Sequence, residues 1–167
     1  MKRVSSKKIA LLGMLAAVTV ALSFAESLFP PLPLLPPGFK IGVANIAVMY
    51  ALFCLNFRAA LALSVVKSAF VLFVSGGYAF ALSLCGSVMS VLVMCALLKA
   101  FRERISYIAV SVAGALFHNA AQIFVVCIIT SSPAALYYSP VLVFMAVVCG
   151  SATALVTAAA MPLIRKL

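Results

Sequence analysis

Six apolar runs dominate the chain, at roughly 9–29, 41–57, 59–75, 78–98, 107–130 and 139–164. They are too long and too continuous to be amphipathic helices wrapped around a soluble core. Each break between them has a physical cause: a proline-rich stretch at 30–37, Asn56–Arg58, Gly76-Gly77, the charged Lys99–Arg104, and Ser131–Pro133. A helix needs about 20 residues to cross the hydrocarbon of a bilayer, so the second and third runs are short but sufficient. The pattern predicts an all-α membrane protein. It forms a single bundle of six transmembrane helices spanning residues 1–167, with no separate soluble domain.

Composition agrees. Hydrophobic residues make up 67% of the 167 and charged ones 8%, where a soluble domain carries about 25% charge. Five cysteines (Cys54, Cys85, Cys95, Cys127, Cys149) lie scattered in apolar runs without CxxC spacing. They read as small hydrophobes, with neither a disulfide framework nor a metal site implied. A net charge of +10 could suggest nucleic acid, but its placement argues for topology instead. With the N-terminus inside, ten of the twelve basic residues face the cytoplasm: Lys2, Arg3, Lys7, Lys8, Arg58, Lys99, Arg102, Arg104, Arg165 and Lys166. Lys40 alone falls in an outer loop, and Lys67 lies inside a helix. That split follows the positive-inside rule and predicts both termini in the cytoplasm. "KRVSSKK" before an apolar run resembles a signal peptide, but the run is long for one. Removing it would also leave five crossings, so it is read as a retained helix.

Polar residues within the runs carry the candidate chemistry. On a helical wheel Ser111, Gly114, His118 and Gln122 form one stripe of the fifth run, with Asn119 at its edge. One such residue would read as interhelical glue, whereas three together weigh equally for a site. Lys67 tips that balance, because a mid-membrane lysine costs about 2.5 kcal/mol or more. It must face the bundle interior, a cavity or a counter-charge, and Ser64, Ser68 and Ser75 share its side. Glu26 is the only acid within a run, near the outer end of helix one, and Asn45 enters helix two from that side. Glu26, Asn45, Lys67, His118, Asn119 and Gln122 could therefore converge on a pocket opening outward. The stripe Ser83, Gly86, Ser87 and Ser90 reads first as close packing through small residues.

Helix one has two contrasting faces. Gly13, Ala17, Ala21 and Ala25 recur every four residues as a smooth ridge, while Thr19, Ser23 and Glu26 lie nearly opposite. The ridge serves internal packing or, if it faces outward, becomes a docking surface for a second membrane protein. A similar ridge in the last run (Ala146, Gly150, Ala154, Ala158) reads as internal packing. "FPPLPLLPPGFK" is stiff and extended, and residues 30–40 suit either a connector or a lid over the pocket.

Several chemistries find no residues here. Aspartate is absent and Glu103 stands alone in a loop, so the clustered carboxylates of magnesium-dependent diphosphate chemistry are missing. No GxxxxGK[ST] loop is present. Nucleophilic catalysis by His118 and a serine would have only Glu26 to orient it. The chain is read as non-catalytic, without cofactor.

The segments "ESLFPPLPLLPPGFKIGVANIAVMYAL", "SLCGSVMS" and "SVAGALFHNAAQIF" resemble a bacterial membrane family labelled heptaprenyl diphosphate synthase component I, also called Gx transporter. That family is similar to the substrate-binding subunits of energy-coupling factor transporters, six-helix proteins that capture a solute outside the cell. The resemblance implies a multi-pass protein of the bacterial cytoplasmic membrane. It implies that the Gly13–Ala25 ridge contacts a transmembrane coupling subunit driven by paired ATPase subunits. It also implies a basic residue at position 67, often arginine. Lysine keeps the charge without the bidentate fork. The favoured expectation is a solute-capture subunit taking a small anionic or carbonyl-rich molecule. The alternative is an accessory subunit in polyprenyl diphosphate or quinone metabolism, which would use cytoplasmic Lys99, Arg102 and Arg104.

Overall fold

The computed structural model describes residues 6–28, 42–101 and 105–164, with the backbone alone for 161–164. The proline-rich loop with Lys40, and the loop residues Arg102–Arg104, lie outside the described residues, as do both ends of the chain. The elements are α1 (Ser6–Leu28), α2 (Asn45–Cys54), α3 (Phe57–Phe101), α4 (Tyr107–Thr130), a 3₁₀ turn (Pro133–Tyr138) and α5 (Ser139–Ile164). Four stretches are long and apolar enough to cross a membrane: Ser6–Leu28, Phe57–Phe101, Tyr107–Thr130 and Pro133–Ala160. The chain is thus a helical membrane protein, with no strand among the described residues.

The third and fourth apolar runs emerge as one element, α3, broken at Gly76. That glycine has φ 82° and ψ 178°, a backbone shape open to glycine and strained for other residues. Ser68 Oγ and Ser83 Oγ lie 3.3 Å apart, whereas a straight helix would separate them by about 22 Å. α3 is therefore a hairpin with antiparallel arms, 57–75 and 77–101.

The second run departs furthest from its expected extent. Its helix starts at Asn45, four residues late, and at 10 residues it covers about 15 Å, half of the hydrocarbon thickness. The cause is local. Gly42 has φ 88°, and the chain turns there, with Asn45 N–H bonded to Gly42 O at 2.9 Å and Ile46 N–H to Val43 O at 3.0 Å. Ala47 through Leu52 are all buried. They pack with Leu15, Leu63, Val91 and Val110 in the larger core cluster. α2 has no polar face because it has neighbours on every side.

α4 keeps the bounds its apolar run predicts. Ser106 caps its start by accepting from Ala109 N–H at 3.1 Å, and Ser131 ends it in the left-handed region at φ 49°. α5 crosses α4 at Gly150, where an added Cβ would sit 2.8 Å from Val112 Cα. Backbone cannot yield as a side-chain tip can, so Gly150→Ala should cost about 1–3 kcal/mol. Gly13→Ala, with nothing within 4 Å of its added Cβ, should be neutral or stabilise by up to about 1 kcal/mol. Equilibrium unfolding of the two variants in detergent checks the contrast, and equal losses would contradict close packing at Gly150.

Candidate functional site

The start of α2 meets two charged side chains. Lys67, halfway along the first arm of α3, is 1% exposed, and its Nζ donates to Asn45 Oδ1 at 2.9 Å. From the other side, Ala44 N–H donates to Glu26 Oε1 at 3.3 Å. A carboxylate from α1 and an ammonium from α3 therefore flank two consecutive residues at a helix N-terminus. Gly42 makes room for this turn, since an added Cβ would stand 3.0 Å from Asn45 Nδ2.

α4 supplies the second half. Ser111, Gly114, His118 and Gln122 are all buried along one stripe. The His118 ring rests against Gly86 of the second arm of α3, so closely that an added Cβ would lie 2.8–3.0 Å from three ring atoms. The small-residue stripe of that arm thus does more than bring helices together: Gly86 leaves the space the imidazole occupies. Asn119, at the stripe's edge, donates from Nδ2 to Leu142 O of α5 at 2.9 Å. It ties two helices as well as facing inward.

Asn45, His118 and Asn119 line one cavity with Ser90, Ser111 and Thr153. Its volume is about 20 Å³, room for about one water molecule. Of the six candidate residues, the structure brings these three to its wall. Lys67 joins them through Asn45 and Glu26 through Ala44, while Gln122 lies one helical turn beyond His118. Ser64 and Ser68 do not contribute as their shared side suggests. Their hydroxyls donate to Ala60 O at 3.0 Å and Ser64 O at 2.8 Å within their own helix, and Ser68 Oγ also meets Ser83 Oγ across the hairpin.

Among the described residues six buried polar side-chain atoms have no hydrogen-bond partner: Ser23 Oγ, Glu26 Oε2, Ser87 Oγ, His118 Nδ1, Gln122 Oε1 and Thr157 Oγ1. Buried polar groups are ordinarily paired, and each orphan costs about 1–3 kcal/mol.

Two wall residues escaped the reading of the sequence, Cys149 and Thr153 on α5. The ridge on that helix took precedence there. The structure buries Ala146, Gly150 and Ala154 and leaves Ala158 exposed. Cys149, Thr153 and Thr157 repeat at four-residue spacing beside it, a signal of the same kind as the α4 stripe.

On α1, the ridge residues Gly13, Ala17, Ala21 and Ala25 are all exposed, while Leu15, Thr19 and Ser23 are buried. The smooth face of α1 points away from the bundle.

Fold and site together define an all-helical membrane protein, among the described residues, with a polar centre beside the buried Lys67. The chain belongs to the heptaprenyl diphosphate synthase component I family, whose pattern matches residues 15–160. As a component of that kind it is not itself the enzyme. No curated protein and no solved structure matches the chain.

Proposed function

We propose that this protein is the membrane-embedded solute-capture subunit of an energy-coupling factor type importer in the bacterial cytoplasmic membrane. On this reading the chain crosses six times, counting both arms of α3 and the short α2, with both termini in the cytoplasm. The observation that carries the reading is the short helix α2. At its start Asn45 holds the buried Lys67 ammonium beside the His118–Asn119 cavity. Transporters bind their solutes where broken helices present their ends and polar side chains near the bilayer midplane. Glu26, Asn45, Lys67, His118, Asn119 and Gln122 are the ligand-binding set. A solute larger than water requires the walls to part.

The outward ridge of α1 is the proposed docking face for a transmembrane coupling subunit that works with ATPase subunits. Ala21→Trp should leave the unfolding midpoint of the isolated protein unchanged while abolishing co-purification of that subunit. Loss of the fold itself would show instead that the ridge packs inside the bundle.

Orientation has its own test. Cysteines placed at Lys40 and Arg102 should react with impermeant reagents only from outside and only from the cytoplasm, respectively. Labelling of position 40 from the cytoplasm alone would contradict the topology.

The family description favours a second reading, an accessory subunit of a prenyl synthase. Exposed Arg58 and Lys99 stand at the same end of the α3 hairpin, and Arg102 and Arg104 come next in the sequence. A diphosphate-holding role would require these cations, whereas solute capture would survive neutralising Lys99, Arg102 and Arg104 together.

A further inference from the structure

We infer that the groove between the second arm of α3 and α4 holds one chain of an anionic phospholipid whose headgroup phosphate is taken by Lys99. The inference needs only that the protein crosses a membrane, and it stands under either reading above.

The groove lies on the outside of the bundle and has a volume of about 720 Å³. Val88, Ala121 and Val125 form a half-buried floor, and Met89, Leu92, Phe117, Phe124 and Ile128 stand exposed at its edges. A second helix is the wrong occupant. Helices approach closely in lipid over small residues, and these bulky edges hold another backbone off. A thin hydrocarbon chain can lie between them.

The headgroup is selected by a stripe along the α3 arm. Cys85, Met89, Leu92, Ala96 and Lys99 recur at alternating spacings of four and three and are all exposed. They therefore follow one line down one face of the helix, from the groove to the basic end of the hairpin. Cys85, which lines the groove, and Lys99 are fourteen positions apart, about 21 Å of helix. Half of a bilayer with its headgroups is about 20–22 Å. A chain that ends beside Cys85 thus has its phosphate level with the Lys99 ammonium. Arg58 is exposed at the same end, and in the sequence that follows Arg102 and Arg104 outnumber Glu103. Lipid tails are all as apolar as the groove, so hydrophobicity selects none of them. Charge does, by about five-fold in affinity for each basic side chain at headgroup level.

The test titrates the full chain in detergent with phosphatidylglycerol and with phosphatidylcholine of the same acyl chains, following thermal unfolding. Phosphatidylglycerol should raise the midpoint saturably, with apparent binding tighter than that of phosphatidylcholine by about five-fold or more. Inorganic phosphate alone should leave the midpoint where it is. Lys99→Gln, at an exposed position, should cut the preference about five-fold without moving the midpoint of the lipid-free protein. Ala121→Phe, which fills the floor, should weaken both lipids alike; if that variant fails to fold, the Lys99→Gln comparison decides alone. Equal effects of the two lipids, a preference that survives Lys99→Gln intact, or a matching shift from phosphate alone overturns the site. So does a folded Ala121→Phe variant that binds both lipids as tightly as the wild type. A prenyl diphosphate acting at lower concentration than phosphatidylglycerol would also overturn it, giving the groove to an isoprenoid chain.

Discussion

Lys67→Met should leave the unliganded protein about as stable as the wild type while weakening solute binding at least ten-fold. The reasoning sets two opposed terms against each other. Lys67 is buried at 1% exposure, and a charged group at that depth costs about 2.5 kcal/mol or more to hold. Methionine has similar length and no charge, so this cost is relieved. Against it, Asn45 Oδ1 loses the donor that stands at 2.9 Å, a loss of about 1–3 kcal/mol for a buried acceptor. The two are of the same size, so the net change in folding free energy should fall within about 1 kcal/mol of zero. Binding has no such compensation. A charge-assisted hydrogen bond contributes about 1.5–3 kcal/mol, hence roughly ten- to a hundred-fold in affinity. Equilibrium unfolding and ligand-dependent thermal shifts of the same preparation separate the two. A variant that loses several kcal/mol of stability would mark Lys67 as a structural residue.

The second large effect belongs to Gly86. Its added Cβ would press on Cε1, Nδ1 and Nε2 of His118 at 2.8–3.0 Å, so Gly86→Ala must drive the imidazole from its place. Overpacking of this kind costs about 1–3 kcal/mol, and it should abolish binding by displacing a cavity wall. In a His118→Ala background the same substitution meets nothing at the ring's position and should be close to neutral. A double-mutant cycle therefore predicts a coupling energy near the whole cost of Gly86→Ala alone. Additive effects would mean that the ring and the glycine do not meet.

Both halves of the site show where a sequence is informative and where it is silent. Stripes at four-residue spacing disclosed which face of α4 turns inward, because a helix fixes the direction of each side chain once its period is known. The exposed Gly13–Ala25 face of α1 and the buried Thr19 and Ser23 follow the same logic. The depth of Asn45 did not follow. Hydropathy treats 41–57 as one apolar run and cannot see that the chain turns at Gly42, at φ 88°, and delays the helix to Asn45. Nor could it pair Lys67 with Asn45 across 22 positions, since that contact depends on how α2 and the first arm of α3 run beside each other. Asn119 was ambiguous for another reason. Its amide both reaches Leu142 O and faces the cavity, and composition cannot apportion two roles to one side chain. Ser64 and Ser68 share the side of Lys67, yet their hydroxyls turn back to their own helix, a choice the wheel leaves open.

Native mass spectrometry of the protein released from nanodiscs, beside its Lys67→Met and His118→Ala variants, tests the central claim most directly. The account predicts a small molecule bound one to one in the wild type and lost from both variants, whose folds remain intact. The same bound molecule in all three proteins would contradict it, as would a wild type that carries none after equilibration with an extract of its own cells.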